Sequence, residues 1–353
     1  MIGRLRQLDW HGLGRIGLCF AVAQAGALTF LALGWPLPWF LGAMAACLIA
    51  AVARVPIERP QALGIPMRIV LGVAIGTAFT PALLARAGGM ALSLALLVPW
   101  TLAIIAAGIP YFSRVAGFDR ATALFCAVPG GIADMVTLAQ DAGADSRTVT
   151  LVQSTRILAI MILLPAWVSV HDGLAVGGSS FARRLHLVDL RLVDAAILLA
   201  IGYLGWRAAS AVRLVGAAIV GPMLLSAAAH ATGLTGAQVP FEVMTVAQLT
   251  VGAMLGAQFR GLTWRELVRP VGLGLVFSFG LIAVTLAVVT GVAALTGFRP
   301  TAVLLAFAPG GQVELNLLAF LLNLDVAYVA LHHLARLAIV MFTTQLLVRR
   351  LGK

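Results

Sequence analysis

Apolar residues fill twelve stretches of the chain, and polar and charged residues gather in the short intervals between them. A run of about 17 to 25 apolar residues is long enough to cross a lipid bilayer as an α-helix. The pattern therefore predicts membrane-crossing helices in both halves of the chain. The predicted segments of the first half are residues 16–34, 38–53, 65–81, 89–112, 119–141 and 146–170. Those of the second half are residues 189–206, 212–230, 243–259, 270–296, 300–322 and 326–348.

The second half of the chain repeats the first at a constant shift of 180 residues. Between residues 115–164 and 295–344, 13 of 50 positions are identical without a gap. Apolar composition raises the number of chance matches, but it does not account for a Pro-Gly-Gly that occurs twice, at 129–131 and 309–311. We therefore predict a first membrane repeat, a polar glycine-rich linker and a second membrane repeat. Their bounds are residues 1–171, 172–188 and 189–353.

The composition also indicates an integral membrane protein. With 61% hydrophobic residues, 10% charged residues and a mean hydropathy of +1.03, the chain has too little polar surface to enclose a soluble globule of 353 residues. The predicted fold class is an all-α polytopic integral membrane protein. It has two tandem homologous repeats of about five to six transmembrane segments, each with one Pro-Gly-Gly-broken helix. The sequence leaves open whether the two repeats run parallel or inverted.

The net charge of +11 is carried mainly by arginines between the apolar segments. In a soluble protein this charge would suggest nucleic acid as a partner. In a multi-pass protein it is typical of basic cytoplasmic loops, so we predict a plasma (inner) membrane location and no nucleic-acid partner. The expected partners are the lipid bilayer and a small-molecule substrate, and a homodimer is left open. We expect no cofactor and no metal site, apart from a coupling ion.

Each Pro-Gly-Gly is predicted to interrupt a helix inside the membrane. Proline lacks the amide N–H, and two glycines give the backbone freedom, so residues Pro129, Gly130 and Gly131 should unwind the first segment. Residues Pro309, Gly310 and Gly311 should do the same in the second. A helix that restarts after the break would aim free N–H groups at an anion, and the preceding half-helix would offer carbonyls to a cation. The alternative is a proline kink that only shapes packing.

A carboxylate follows each break, Asp134 in the first repeat and Glu314 in the second. It lies in the first turn of the restarted helix, where it could simply cap that helix. The alternative is a proton or sodium site, because a carboxylate near the middle of the membrane is a hard-cation ligand that can also be protonated. Neutral polar side chains on the same segments would add ligands, namely Thr137, Gln312 and Asn316.

An arginine lies deep in the helix that follows each break, Arg156 and Arg336. A charge at this depth needs a partner. One reading is an ion pair within each repeat, Asp134 with Arg156 and Glu314 with Arg336. The other is that the guanidinium binds a substrate carboxylate. His333 is expected to face the same cavity near Arg336, as a proton relay rather than a metal ligand.

The two copies of Pro-Gly-Gly, each followed by an acidic residue and a distal arginine, resemble the duplicated AbrB family of membrane proteins. The resemblance extends from about residue 15 to residue 348. It implies a polytopic inner-membrane protein that family labels link to regulation of gene expression or to ammonia monooxygenase. A weaker similarity joins residues 129–134 to the broken helix of bile-acid/sodium symporters. It implies a substrate site at a broken helix.

These features favour a transporter without enzymatic activity. Ion-coupled secondary transport of a small organic anion or metabolite, through a site between two broken helices, accounts for duplicated breaks with charges beside them. A membrane-bound regulator or sensor is the alternative. A membrane monooxygenase would need clustered histidines and carboxylates for copper or iron, and the six histidines of the chain are scattered.

Overall fold

The structure, a computed structural model, is helical in nearly all of the chain that it describes. The described residues are 10–35, 37–79, 87–172, 185–212, 214, 216–261, 264–322 and 324–351. The side chains of Asp134 and Thr137 lie outside the described part, although their backbone belongs to a described helix. Most of the predicted linker, residues 173–184, also lies outside it. The predicted domain boundaries therefore stay predictions.

The described residues before the linker form seven α-helices. They are α1 (Trp10–Ala32), α2 (Ala43–Val52), α3 (Gln61–Gly76), α4 (Ala87–Pro110), α5 (Arg120–Ala127), α6 (Ile132–Asp141) and α7 (Ser146–Asp172). A π-helical turn precedes α2 at Pro38–Gly42, and another follows α4 at Tyr111–Val115.

The described residues after the linker form seven more α-helices. They are α8 (Leu192–Ala211), α9 (Ala217–Ala231), α10 (Phe241–Gly256), α11 (Trp264–Thr296), α12 (Pro300–Phe307), α13 (Gln312–Leu321) and α14 (Val326–Leu351). Short 3₁₀ turns lie at Leu187–Asp189 and Ala257–Phe259. Each of the twelve segments predicted from the apolar pattern overlaps one of the fourteen helices or a consecutive pair of them.

Six helices in the described part of the chain are long and apolar enough to cross a membrane. By length and composition these spans are Gly12–Ala32, Gly88–Val115, Ser146–Val168, Leu192–Ala211, Glu266–Thr296 and Val326–Val348. Shorter apolar helices lie at Pro38–Val52, Gln61–Gly76 and Ala217–Ala231. The chain is thus an all-helical protein of the membrane type, as its composition predicts. The number of crossings, their direction and the identity of the membrane stay predictions.

A Pro-Gly-Gly separates two consecutive helices at the same place in each half. The eight-residue helices α5 and α12 end directly before Val128 and Ala308, and the ten-residue helices α6 and α13 begin directly after Gly131 and Gly311. Val128 and Ala308 are extended, with ψ of 125° and 131°. Each precedes a proline, whose ring disfavours helical geometry in the residue before it. We call residues 128–131 and 308–311 the two Pro-Gly-Gly segments.

The helices pack in two groups, and each group draws on both halves of the chain. The six-helix group contains α1–α3 and α8–α10, with α3 packed along α9 and α10 along α2. The eight-helix group contains α4–α7 and α11–α14, with α7 packed along α11 and α4 against α14. The two groups meet where α3 contacts α13 and α14.

Glycines allow the helices of the six-helix group to approach closely. A Cβ atom at Gly72 of α3 would overlap the carbonyl of Ile219 in α9, and one at Gly256 of α10 would overlap the carbonyl of Met44 in α2. Small residues four positions apart are a common means of bringing two membrane helices together. The two contacts that join the halves within this group therefore depend on the absence of a side chain.

Gly256→Val is expected to destabilise the protein by about 1–3 kcal/mol, because the new side chain must displace the backbone of α2. Thermal unfolding in detergent measures the effect. Gly272→Val is the matched control, since a Cβ atom at Gly272 would meet no atom within 4 Å. Equal losses of stability in the two variants would contradict the close helix contact at Gly256.

Candidate functional site

A cavity of about 290 Å³ lies where the two helix groups meet. The six-helix group contributes Arg68 of α3, Leu255 of α10 and the start of α9. The eight-helix group contributes both Pro-Gly-Gly segments, the starts of α6 and α13, and residues of α7 and α14. The two interruptions in the helices therefore open onto one common space.

Three helices, α6, α9 and α13, begin at the wall of this cavity. The residues before them are Gly131, Gly216 and Gly311, which have no side chain to cap the first turn. In α13 the first intrahelical hydrogen bond runs from the N–H of Leu315 to the carbonyl of Gly311, at 3.1 Å. The N–H groups ahead of Leu315 have no acceptor within the helix. Such N–H groups and the positive end of the helix dipole attract anions.

Arg336 of α14 satisfies carbonyl groups that remain where α12 ends. The residue is 3% exposed, and its guanidinium donates to the carbonyl of Ala308 and, at 3.1 Å, to the carbonyl of Gly310. It also donates to Nδ1 of His333. Because an arginine has no acceptor, Nδ1 of His333 must be the unprotonated ring nitrogen. A positive charge at the C-terminal end of a helix is also stabilised by the helix dipole.

Arg156 of α7 has the corresponding role at the end of α5. It is 1% exposed and donates to the carbonyl of Val128, at 3.3 Å, and to Oε1 of Gln153. Gln153 donates through Nε2 to the carbonyl of Phe125, at 2.6 Å, and to that of Val128, at 2.9 Å. Gln153 and His333 thus hold the same position, three residues before an arginine that caps a preceding helix.

The predicted ion pair between Glu314 and Arg336 is wrong. The described hydrogen bonds of Arg336 go to two carbonyls and to His333, and none goes to Glu314. The carbonyls at the end of a helix inside the protein have no water to accept from, so they take the donors of the nearby guanidinium. The side chain of Asp134 lies outside the described residues, so its pair with Arg156 stays a prediction.

Glu314 lies in the first turn of α13, with its carboxylate against Gly311. The residue is 7% exposed and lines the cavity. A Cβ atom at Gly311 would overlap Oε2 of Glu314, so the glycine leaves the space that the carboxylate occupies. Beside it, Gln312 has a buried Nε2 without a hydrogen-bond partner. Arg68 is the basic side chain that interacts electrostatically with Glu314 across the cavity.

Arg68 and the start of α9 are cavity residues that the sequence analysis missed. Arg68 lies in a segment that is otherwise apolar, and the shift of 180 residues aligns it with Gln248. A polar residue at this position in both repeats was a signal that could have identified it. Gly216 and the alanines after it gave no such signal, because small residues in an apolar run are most often packing residues.

The structure brings nine of the predicted site residues to the wall of one cavity. They are Pro129, Gly130, Gly131, Gly310, Gly311, Gln312, Glu314, His333 and Arg336. Three others, Pro309, Arg156 and Asn316, are buried and do not line it. Both side-chain amide atoms of Asn316 lack a hydrogen-bond partner. The side chains of the remaining two, Asp134 and Thr137, lie outside the described residues.

No metal centre is evident in the part of the chain that the structure describes. Within it, no three His, Cys, Asp or Glu side chains form a group that could hold a metal ion. His332 and His333 are adjacent but have separate partners. His332 bonds to the hydroxyl of Ser93 and to the carbonyl of Tyr328, both at 2.8 Å, whereas His333 contacts Arg336. The expectation of no resident cofactor stays a prediction.

Comparison with known proteins identifies relatives over nearly the whole chain. The family model described as "Transition state regulatory protein AbrB" matches residues 39–352. "Uncharacterized protein YhjN" of Bacillus subtilis (strain 168) is 26% identical over 345 residues, which cover 91% of this chain and 88% of that protein. "Putative regulator AbrB" of Escherichia coli (strain K12) is 25% identical over 330 residues, which cover 93% of each chain.

His333→Gln is expected to leave the stability of the protein nearly unchanged, since Gln153 already performs the same task beside Arg156. His333→Leu removes the acceptor of a buried guanidinium and should cost about 1–3 kcal/mol. Thermal unfolding of both variants in detergent provides the comparison. If the leucine variant is as stable as the glutamine variant, His333 does not hold Arg336 in place.

Proposed function

The chain belongs to the AbrB family, and we propose that it is an ion-coupled secondary transporter that binds a small organic anion between two broken helices. On this proposal it is a multi-pass protein of the plasma (inner) membrane and has no enzymatic activity. The observation that carries the proposal is the cavity between the two Pro-Gly-Gly segments, which combines helix N-termini with arginine side chains.

The charge at the cavity supports an anion as the ligand. Arg68 and Arg336 line it, together with the starts of three helices, each equivalent to roughly half a positive charge. Glu314 is the one carboxylate on the described wall. A guanidinium fits carboxylates and phosphates through two parallel hydrogen bonds. The volume of about 290 Å³ is at the lower end of the range of small-molecule sites, which favours a small metabolite.

Tandem repeats with a broken helix in each support transport as the activity. Gly26 of α1 lies against Gly42 of α2, and Gly205 of α8 lies against Gly221 of α9 in the same way. The second pair follows the first by 179 residues, as expected for two copies of one unit. Secondary transporters are often built from such repeats and bind their substrates where half-helices meet. We propose that α5–α6 and α12–α13 are the two broken helices.

The position of the cavity supports alternating access. Its walls come from both helix groups, so a rotation of one group against the other would change the side from which it opens. The ends of α6 and α13 would move with the eight-helix group, and Arg68 and the start of α9 with the six-helix group. An anion held between them would then experience both orientations.

The coupling ion in this proposal is a proton or sodium that binds at Glu314. A buried carboxylate beside an anion site can bind either ion and so offset the charge of the substrate. The carbonyls of the preceding half-helix are less suited to this task, because Arg336 already donates to two of them.

A second candidate function is an anion sensor without transport. The name of the relative from Escherichia coli contains the word regulator. The same cavity could bind a metabolite and transmit its presence to a partner protein. Purified protein in liposomes separates the two functions, since a sensor binds the anion but produces no flux.

Arg68→Gln should lower the affinity for succinate by about 10–100-fold, because the loss of a charged contact to a carboxylate costs about 1.5–3 kcal/mol. Arg68 forms no described hydrogen bond, so this change should leave the fold intact, unlike changes at Arg336. Calorimetry measures affinity, and uptake of radiolabelled succinate into liposomes measures flux. Arg114→Gln, at an exposed arginine away from the cavity, is the control.

Wild-type protein that binds neither succinate nor acetate would contradict the proposed anion site. Binding without flux, under a proton gradient and under a sodium gradient, would support the sensor instead of the transporter. An Arg68→Gln variant that binds as tightly as the Arg114→Gln control would remove Arg68 from the site.

A further inference from the structure

We propose that the substrate is a carboxylate and that Glu314 is its built-in competitor, which leaves the start of α13 and takes up a proton when the substrate binds. This inference rests on the proposed function, and it adds the chemical class of the anion and the event that couples binding to protons. It follows from the position of one side chain.

The carboxylate of Glu314 already occupies an anion position at α13. It folds back over Gly311, to the point where a Cβ atom of that residue would otherwise lie. There it meets the first-turn N–H groups of its own helix, which have no acceptor within the helix. The empty cavity therefore holds an anion of its own, and that anion is a carboxylate.

The surroundings of Glu314 suit a ligand that is exchanged. The residue is buried to 93% of its surface, since 7% is exposed, and no described hydrogen bond joins it to another side chain. The neighbouring Nε2 of Gln312 is buried and has no acceptor. A second carboxylate could use this donor and the same N–H groups, whereas a structural cap would be expected to use the available donors fully.

The charged groups that face this position are few. From α3 comes Arg68, and from α14 come Arg336 and His333. On α7, Arg156 lies behind the wall and donates to a carbonyl. The described residues of α12 contribute no titratable side chain. Arg336 and His333 are bonded to each other, which leaves Arg68 as the basic group free to follow either Glu314 or a substrate.

Displacement of Glu314 has a consequence for protons. Two carboxylates that share one small, poorly hydrated site repel each other, so one of them is protonated. When the carboxylate of a substrate takes the start of α13, the displaced side chain accepts one proton from water, and no bond other than this O–H bond is made. Each carboxylate bound then brings one proton with it.

Succinate and acetate are the probes for this inference. Titration calorimetry near neutral pH, in two cationic buffers that differ in ionisation enthalpy, gives both the affinity and the number of protons taken up. Anionic buffers are avoided because they would compete for the site. Glu266→Gln, at a carboxylate on the exposed start of α11, is the control.

Glu314→Gln and Gly311→Ala should change the affinity in opposite directions. The glutamine removes the competing charge, so succinate should bind about tenfold more tightly and without proton uptake. The alanine places a methyl group where the carboxylate of either Glu314 or a substrate would lie, so succinate should bind at least about tenfold more weakly. Glu314→Ala keeps the test possible if the glutamine variant does not fold.

The results separate this inference from the proposed function. If wild-type protein binds neither succinate nor acetate, the anion site itself is wrong, and the inference fails with it. If wild-type protein binds succinate and Glu314→Gln binds it more weakly, or with the same proton uptake, Glu314 is not a competitor, although the anion site stands. Tighter binding without proton uptake supports the inference.

Discussion

The structure depends on how it treats the backbone groups that two interrupted helices leave without partners. Inside a membrane protein each unsatisfied carbonyl or N–H costs several kcal/mol. The carbonyls at the ends of α5 and α12 are satisfied by Arg156 with Gln153 and by Arg336. The N–H groups at the starts of α6 and α13 receive no such partner from a neighbouring helix and face the cavity instead. This asymmetry turns a packing problem into an anion site.

The same asymmetry determines the charge of the centre of the protein. The two buried arginines are bonded to carbonyls and to neutral side chains, so their positive charges are not cancelled by carboxylates in contact with them. The positive charge of Arg156 also acts on Arg336. With Arg68 and three helix N-termini added, a single described carboxylate faces a surplus of positive potential. A small anion is the ligand that such a potential attracts.

Much of this arrangement could be predicted from the sequence. The apolar pattern located the helices, and the membership of the AbrB family confirms the resemblance drawn from the Pro-Gly-Gly copies. The partners of Arg336 could not be predicted, because a pattern identifies a charge but not which of several nearby acceptors it reaches. Arg68 and Gly216 were missed because the contact of α3 and α9 with the eight-helix group is long-range. No local signal specifies it.

The central claim is that an anion binds between the two Pro-Gly-Gly segments, and anomalous diffraction from crystals grown in bromide tests it most directly. Bromide is a small anion whose position is identified without knowledge of the natural substrate. The account predicts a bromide peak in the cavity, within reach of Arg68 and of the starts of α6, α9 and α13. Bromide peaks elsewhere on the protein, with none in this cavity, would contradict the account.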